Sequence, residues 1–188
     1  MHPLAPALRS LIIMGFVKGM VVHSRASKRL ADGIGRESVW DYPRPPALEP
    51  APQQVRVIFA GRIIAASSRA YRVLETSHPP VYYMPPEDVA LDCLFPESES
   101  SFCEFKGEAI YWMIRVAKRT SRRAAWSYPN PDRRYAAIRN HFAFYASRVD
   151  ECWVGEERAA PQEGDFYGGW ITSRISGPFK GGPGTLGW

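Results

Sequence analysis

Four consecutive polar residues offer the clearest candidate for chemistry in this sequence. They place a carboxylate, two hydroxyls and an imidazole at Glu75, Thr76, Ser77 and His78. A carboxylate and an imidazole three residues apart across a corner can act together as acid and base. The structural alternative is that the two hydroxyls bond the backbone of a turn while Glu75 fixes the imidazole of His78.

A cysteine and a lysine three residues apart form a second candidate. Strand alternation puts Glu104 and Lys106 on one face and Cys103 on the other. Cys103 becomes a nucleophile only where a histidine such as His78 and positive charge lower its pKa. A simpler hypothesis is that Lys106 pairs with Glu75 or Glu104.

Aromatic residues supply a third candidate, because Trp112 and Trp126 lie on two predicted strands joined by a short basic connection. If Trp112 pairs directly with Trp126, both face one side, together with Tyr128. A register shifted by one residue would put the two tryptophans on opposite faces. The functional interpretation is an aromatic box for a flat or cationic small molecule, and the structural one is ordinary core.

The elements that position these residues are mostly strands. The segment QVRVIFAGRIIAAS predicts a hairpin. AYRVLET and VYYM predict two strands that flank a rigid corner, because His78 is followed by two prolines. NPDRRYAAIRNHFAFY predicts the one main helix, with Asp132 as its N-cap.

Composition indicates a globular protein of about one domain. The 188 residues are 45% apolar and 23% charged. The net charge of +5 comes from residues 1–31, which hold five basic residues and no acidic ones. The remainder is formally neutral, so it lacks the broad basic surface of a nucleic-acid binder.

The first residues and the cysteines bear on localisation. The apolar stretch LRSLIIMGFVKGMVV is too short and too interrupted for a membrane span. Residues 1–31 have the character of a weak mitochondrial presequence, and the alternative is an accessory segment that packs on the domain. Three cysteines without paired spacing indicate reduced, intracellular thiols. We therefore expect a cytoplasmic protein, or a mitochondrial one if residues 1–31 act as a presequence.

Several long motifs resemble one family. In chain order they are WDYPRPP, ETSHPPVYY, FCEFKG, AAWSYPNP, FYGGWIT and GPFKGGPGT. Over residues 36–188 the sequence is similar to domain of unknown function family 427. That resemblance implies a β-tent or Mss4-like fold, in which two antiparallel sheets lean together over a cleft.

The resemblance also bears on metals and activity. Relatives of the fold often carry zinc on paired-cysteine knuckles, which this sequence lacks, so we expect no zinc and no other cofactor. Some catalogues label the family nucleotidyltransferase-like. The sequence lacks the clustered carboxylates that such chemistry needs to hold magnesium.

We therefore expect a mainly β protein with one main helix (α+β) of the β-tent type. Residues 1–36 form an accessory segment, and residues 37–188 form a single domain with a proline-rich strap at 43–52. The expected function is binding of a small ligand or peptide element in an aromatic cleft. The alternatives are an enzyme using Glu75 with His78, or Cys103, and a dimerisation module that uses a sheet edge. The expected cleft residues are Glu75, His78, Tyr83, Cys103, Lys106, Trp112, Trp126 and Tyr128.

Overall fold

The computed structural model describes residues 35–164, 166–185 and 187–188. The expectations for residues 1–34, including the presequence and most of the accessory segment, lie outside the described residues. The described part is mainly β, as predicted. Its strands in chain order are β1 (Glu37–Ser38), β2 (Ala47–Pro50), β3 (Val55–Phe59), β4 (Arg62–Ser67), β5 (Tyr71–Leu74), β6 (Val81–Tyr83), β7 (Leu94–Cys103), β8 (Gly107–Val116), β9 (Arg119–Ser127), β10 (Phe142–Phe144), β11 (Glu151–Val154), β12 (Glu157–Arg158), β13 (Ala160–Pro161), β14 (Trp170–Ile171) and β15 (Ile175–Ser176).

Three antiparallel sheets make up most of the fold. Their strand orders are β10-β9-β8-β7, β12-β11-β3-β4 and β2-β5-β6. Two small pairs complete it, β1 with β15 in parallel and β13 with β14 antiparallel. The sheet β2-β5-β6 meets the sheet β7–β10 where Met84 and Phe142 exchange two backbone hydrogen bonds of 2.8 Å. This junction holds the two sheets together at one edge.

The predicted hairpin at 54–67 is confirmed by β3 and β4. Val55, Val57 and Phe59 alternate inward and are almost fully buried. The turn falls at Ala60 and Gly61, whose φ angles are 52° and 73°. Positive φ at both positions is typical of a type I′ turn, which matches the twist of the two flanking strands.

The predicted main helix is wrong. Asp132 does cap a helical start, since its side chain accepts a hydrogen bond of 3.0 Å from the Arg134 amide. The helix that follows is a six-residue 3-10 segment, kinked at Tyr135, and Asn140 then turns the chain with φ of 59°. The rest of the segment becomes β10, because pairing with β9 buries its aromatic residues and overrides the local helical pattern.

The other helical elements of the described residues are also short 3-10 segments. Each spans three residues, and their bounds are Val39–Asp41, Pro86–Asp88, Leu91–Cys93 and Ala146–Arg148. No helix in this part of the chain is long and apolar enough to cross a membrane.

The sheet β7–β10 separates two different interiors. On one face, Trp112, Ile114 and Phe144 pack against Val57 and Ile64 of the β3–β4 hairpin in the main core. The opposite face carries mostly aromatic residues and packs toward β5 and β6; its buried members include Tyr111, Trp126, Tyr128, Ala143 and Tyr145. The aromatic face is the one that borders a cavity.

Candidate functional site

A cavity of about 340 Å³ lies between the sheets β2-β5-β6 and β7–β10. The β5–β6 hairpin contributes one wall, and strands β8 and β9 contribute the other. The loop between β13 and β14 and the β7–β8 turn complete the lining. This volume falls in the range of small-molecule binding sites.

Most of the residues predicted for a ligand cleft come together around this cavity. Seven of the eight line it, and these are Glu75, His78, Tyr83, Cys103, Lys106, Trp126 and Tyr128. They come from three separate stretches of the chain, so the fold alone brings them within reach of one small molecule.

Trp112 does not line the cavity, and its placement there is corrected. In the β8–β9 pairing Trp126 lies opposite Tyr111, and Trp112 lies opposite Ala125. This is the register shifted by one residue, which sends the two tryptophans to opposite faces. Trp112 instead contacts Phe142 in the main core and donates a hydrogen bond of 3.0 Å to Ser127 Oγ.

The corner between β5 and β6 is tied down by backbone contacts. Ser77 adopts φ of 68°, and its amide donates to the Val39 carbonyl at 3.1 Å. Thr76 Oγ1 donates to the Tyr42 carbonyl at 2.6 Å, so this hydroxyl holds the residue just before the strap rather than the turn itself. The corner is thus a fixed part of the cavity rim.

His78 is oriented by the chain itself. Its Nδ1 donates to the Thr76 carbonyl at 2.9 Å, which leaves Nε2 as the acceptor in the neutral ring. Burial lowers the pKa of His78, and the charges of Lys180 and Arg44 add to that effect. The Thr76 carbonyl and Glu75 act in the opposite direction. The imidazole is therefore held neutral near pH 7.

Glu75 and Lys106 have different partners from those predicted. Glu75 accepts a hydrogen bond of 2.9 Å from Arg44, so it neither orients His78 nor pairs with Lys106. Arg44 also lies 3.9 Å from Glu104. Lys106 instead places its ammonium 5.7 Å from the centre of the Tyr135 ring. The predicted carboxylate partners of Lys106 are thus both taken by Arg44.

The inner wall is a cluster of phenols around one indole. Trp126 Nε1 donates to Tyr83 Oη at 3.2 Å, and the Tyr145 ring lies 4.5 Å from the Trp126 ring. Burial is the main reason that the pKa values of Tyr83, Tyr128 and Tyr145 are raised. At neutral pH these phenols are uncharged and act as hydrogen-bonding groups rather than as bases.

Cys103 is half-buried beside this wall. It packs against the aromatic cluster of this wall and lines the cavity together with Tyr128 and Lys106.

The loop between β13 and β14 closes the cavity from the outside. A Cβ atom on Gly168 would lie 2.2 Å from the Trp126 ring, so only glycine allows the backbone to cover the indole this closely. Gln162 braces the loop by donating to the Lys180 carbonyl at 2.6 Å and accepting from the Gly169 amide at 3.1 Å. Phe166 is 62% exposed at the cavity rim.

Several lining residues were absent from the predicted site, and they are Arg44, Tyr111, Tyr145, Phe166, Tyr167 and Gly168. Tyr145 was missed because it was assigned to the helix. Tyr111 was missed because the predicted β8–β9 register paired Trp112 with Trp126, whereas in the structure Tyr111 lies opposite Trp126. The paired glycines of FYGGWIT were a usable signal for Gly168, because adjacent glycines mark a close backbone approach.

In the described ranges, no group of three or more histidine, cysteine, aspartate or glutamate side chains is placed to hold a metal ion. The cysteines Cys93, Cys103 and Cys152 are free thiols.

Comparison with known proteins places the chain in a family without naming an activity. No curated protein matches the sequence. A family model matches residues 47–155, which is more than half of the chain. The matched range includes both walls of the cavity and ends before the loop that carries Gly168. The chain therefore belongs to the family described as Domain of unknown function (DUF427).

Proposed function

We propose that the protein binds a small ligand or a peptide element in the aromatic cleft between the sheets β2-β5-β6 and β7–β10. One observation carries the proposal: residues from three distant stretches, predicted from sequence as ligand-binding, surround a single cavity of about 340 Å³. Buried hydroxyl groups line it beside aromatic rings, which is the usual make-up of a site for a small organic molecule.

The proposal includes the finer description of the fold. Two antiparallel sheets that join at Met84 and Phe142 and part around a cavity support a β-tent arrangement within a single domain at 37–188. The strap at 43–52 serves the cleft, since Arg44 reaches Glu75 at its rim. In this proposal the protein acts in the cytoplasm and uses neither zinc nor another cofactor.

Tryptophan fluorescence tests ligand binding directly, because Trp126 lies in the cavity wall and Trp112 lies behind it. We expect compounds from a metabolite library to change the emission of the wild-type protein and of the Trp112→Phe variant. The Trp126→Phe variant should lose most of that response. A response that survives in Trp126→Phe and vanishes in Trp112→Phe would show that the ligand binds outside this cleft.

An enzyme is the second candidate, and the orientation of His78 is the observation that favours it. Its Nε2 faces no hydrogen-bond partner among the described residues and carries a lone pair in the neutral ring. In this version Cys103, which lines the same cavity, is the nucleophile. Iodoacetamide should then alkylate Cys103 faster at neutral pH than it alkylates a model thiol, and the excess rate should disappear in His78→Gln. A rate equal to that of the model thiol removes the nucleophile version.

A further inference from the structure

Lys106 is a buried cation on the cavity wall. The residue is only 7% exposed, and it lines the cavity. Within residues 35–164, 166–185 and 187–188, no carboxylate comes within ion-pair distance of its ammonium. The Tyr135 ring at 5.7 Å offers only a weak cation–π contact. Lys106 Nζ is not among the fully buried, unpaired polar atoms of the described residues, so the ammonium opens to the cavity, where an anion would stabilise it.

The nearby carboxylates serve a different cation. Glu75 is bound to Arg44 at 2.9 Å, and its side chain is 17% exposed. Glu104 is turned toward solvent, with a side chain that is 70% exposed, and it lies 3.9 Å from Arg44. Arg44 is therefore balanced at the rim, whereas Lys106 is left without a counter-charge inside.

The aromatic side chains in the rest of the cavity wall are uncharged. The phenols of Tyr83, Tyr128 and Tyr145 stay protonated, since burial raises each pKa. His78 stays uncharged, since burial lowers its pKa. The site thus combines one ammonium that lacks a carboxylate partner with several aromatic surfaces and neutral hydrogen-bonding groups.

We propose that the ligand of this cleft is a small planar acid, whose carboxylate pairs with Lys106 and whose flat body packs against Trp126 and the phenols. This inference rests on the proposed function and names its ligand class. The acid supplies the missing counter-charge of Lys106, and its conjugated or aromatic body uses the ring faces of the wall.

Matched probes that share a ring and differ in the charged or neutral group attached to it test this inference. The set consists of benzoate, benzamide and benzylamine, and a larger set consists of indole-3-acetate and indole-3-acetamide. Binding is followed through the Trp126 indole N–H resonance, assigned by its absence in Trp126→Phe. We expect each acid to bind about tenfold more tightly than its amide, because the acid gains a charge-assisted hydrogen bond.

Variants of Lys106 test whether this residue causes the preference for the acid over the amide. Lys106→Met should reduce acid binding to the level of amide binding in the same variant, so that the preference for the acid disappears. Lys106→Arg should keep the preference for the acid. Because the acid–amide comparison is made first on the wild-type protein, it stands even if Lys106→Met folds poorly, and circular dichroism identifies that case.

The outcomes separate this inference from the proposed function. Equal binding of acid and amide, tighter binding of the amine, or an acid preference that survives in Lys106→Met overturns the inference and leaves the cleft as a binding site. If none of the acids, amides or amines shifts the Trp126 resonance at millimolar concentration, the planar-acid inference fails. A screen of non-planar metabolites on the same resonance then decides the proposed function alone.

Discussion

The two faces of the sheet β7–β10 are built from similar residues and end up with different properties. Trp112 on one face and Trp126 on the other are both indoles whose N–H donates to a hydroxyl, Ser127 Oγ at 3.0 Å and Tyr83 Oη at 3.2 Å. Trp112 packs into a solid core with Ile114 and Phe142. Trp126 borders a cavity of about 340 Å³.

The difference lies in what covers each face. Trp112 packs against the main core, which includes aliphatic side chains of the β3–β4 hairpin, and such interiors are close-packed. Rigid phenols surround Trp126, and each has a hydroxyl that requires a hydrogen-bond partner. Rings held in place by their polar ends leave space between them, so the aromatic face is suited to binding and the aliphatic face to stability.

The largest contrast should appear when one valine that packs toward each face is shortened, Val57 of β3 on the core side and Val73 of β5 on the cavity side. Val57→Ala opens a hole in the solid core, and we expect it to lower the free energy of unfolding by about 2–3 kcal/mol. Val73→Ala only enlarges the existing cavity, so its expected cost is about 1 kcal/mol. Urea unfolding measures both. Equal losses would mean that the cavity is closed up in solution.

Gly168 tests whether the loop covers Trp126 as closely as the structure indicates. A Cβ atom there would meet the indole at 2.2 Å, so Gly168→Ala should displace the loop and cost about 2 kcal/mol. Gly35→Ala is the matched control, because nothing lies within 4 Å of its added methyl group. Thermal unfolding and the emission maximum of Trp126 report the change. An unaltered emission maximum in Gly168→Ala would contradict the close cover.

The two indole hydrogen bonds give a smaller contrast. Ser127→Ala leaves the Trp112 N–H unpaired in a filled core, with an expected cost of about 1–2 kcal/mol. Tyr83→Phe leaves the Trp126 N–H beside the cavity, where water can replace the hydroxyl, and we expect a loss of less than about 1 kcal/mol. Chemical denaturation measures the free energy of unfolding of both variants. A larger loss for Tyr83→Phe would show that water does not reach this wall.

His78 should give the smallest effect, through pH. Burial lowers its pKa in the folded state below the ordinary value of 6.5. The unfolded chain therefore binds the proton more readily, so stability is highest above pH 6.5 and falls as pH decreases toward the folded-state pKa. The slope contributed by His78 is below about 1.4 kcal/mol for each pH unit.

Unfolding measured between pH 7 and pH 5 checks this sign. His78→Gln should lose that part of the pH dependence and resemble the wild type most closely at the lower pH. A His78→Gln variant with an unchanged slope would show that other groups set the acid response.

Local patterns in the sequence predicted the β3–β4 hairpin, the strands β5 and β6, the rigid corner between them and the capping role of Asp132. The prediction of a main helix failed because pairing of β10 with β9 stabilises this segment more than helix formation would. The register of β8 and β9 decides which tryptophan faces the cavity, and a shift of one residue leaves the alternation pattern unchanged. The pairing of Glu75 with Arg44 joins residues 31 apart in sequence, and no local pattern specifies such a contact.

The claim that the Trp126 face is a ligand site is tested most directly by the indole N–H resonances of the six tryptophans during titration with benzoate. The structure predicts a progressive, saturable shift of the Trp126 resonance while that of Trp112 stays in place. A shift of Trp112 with Trp126 unmoved would contradict this account.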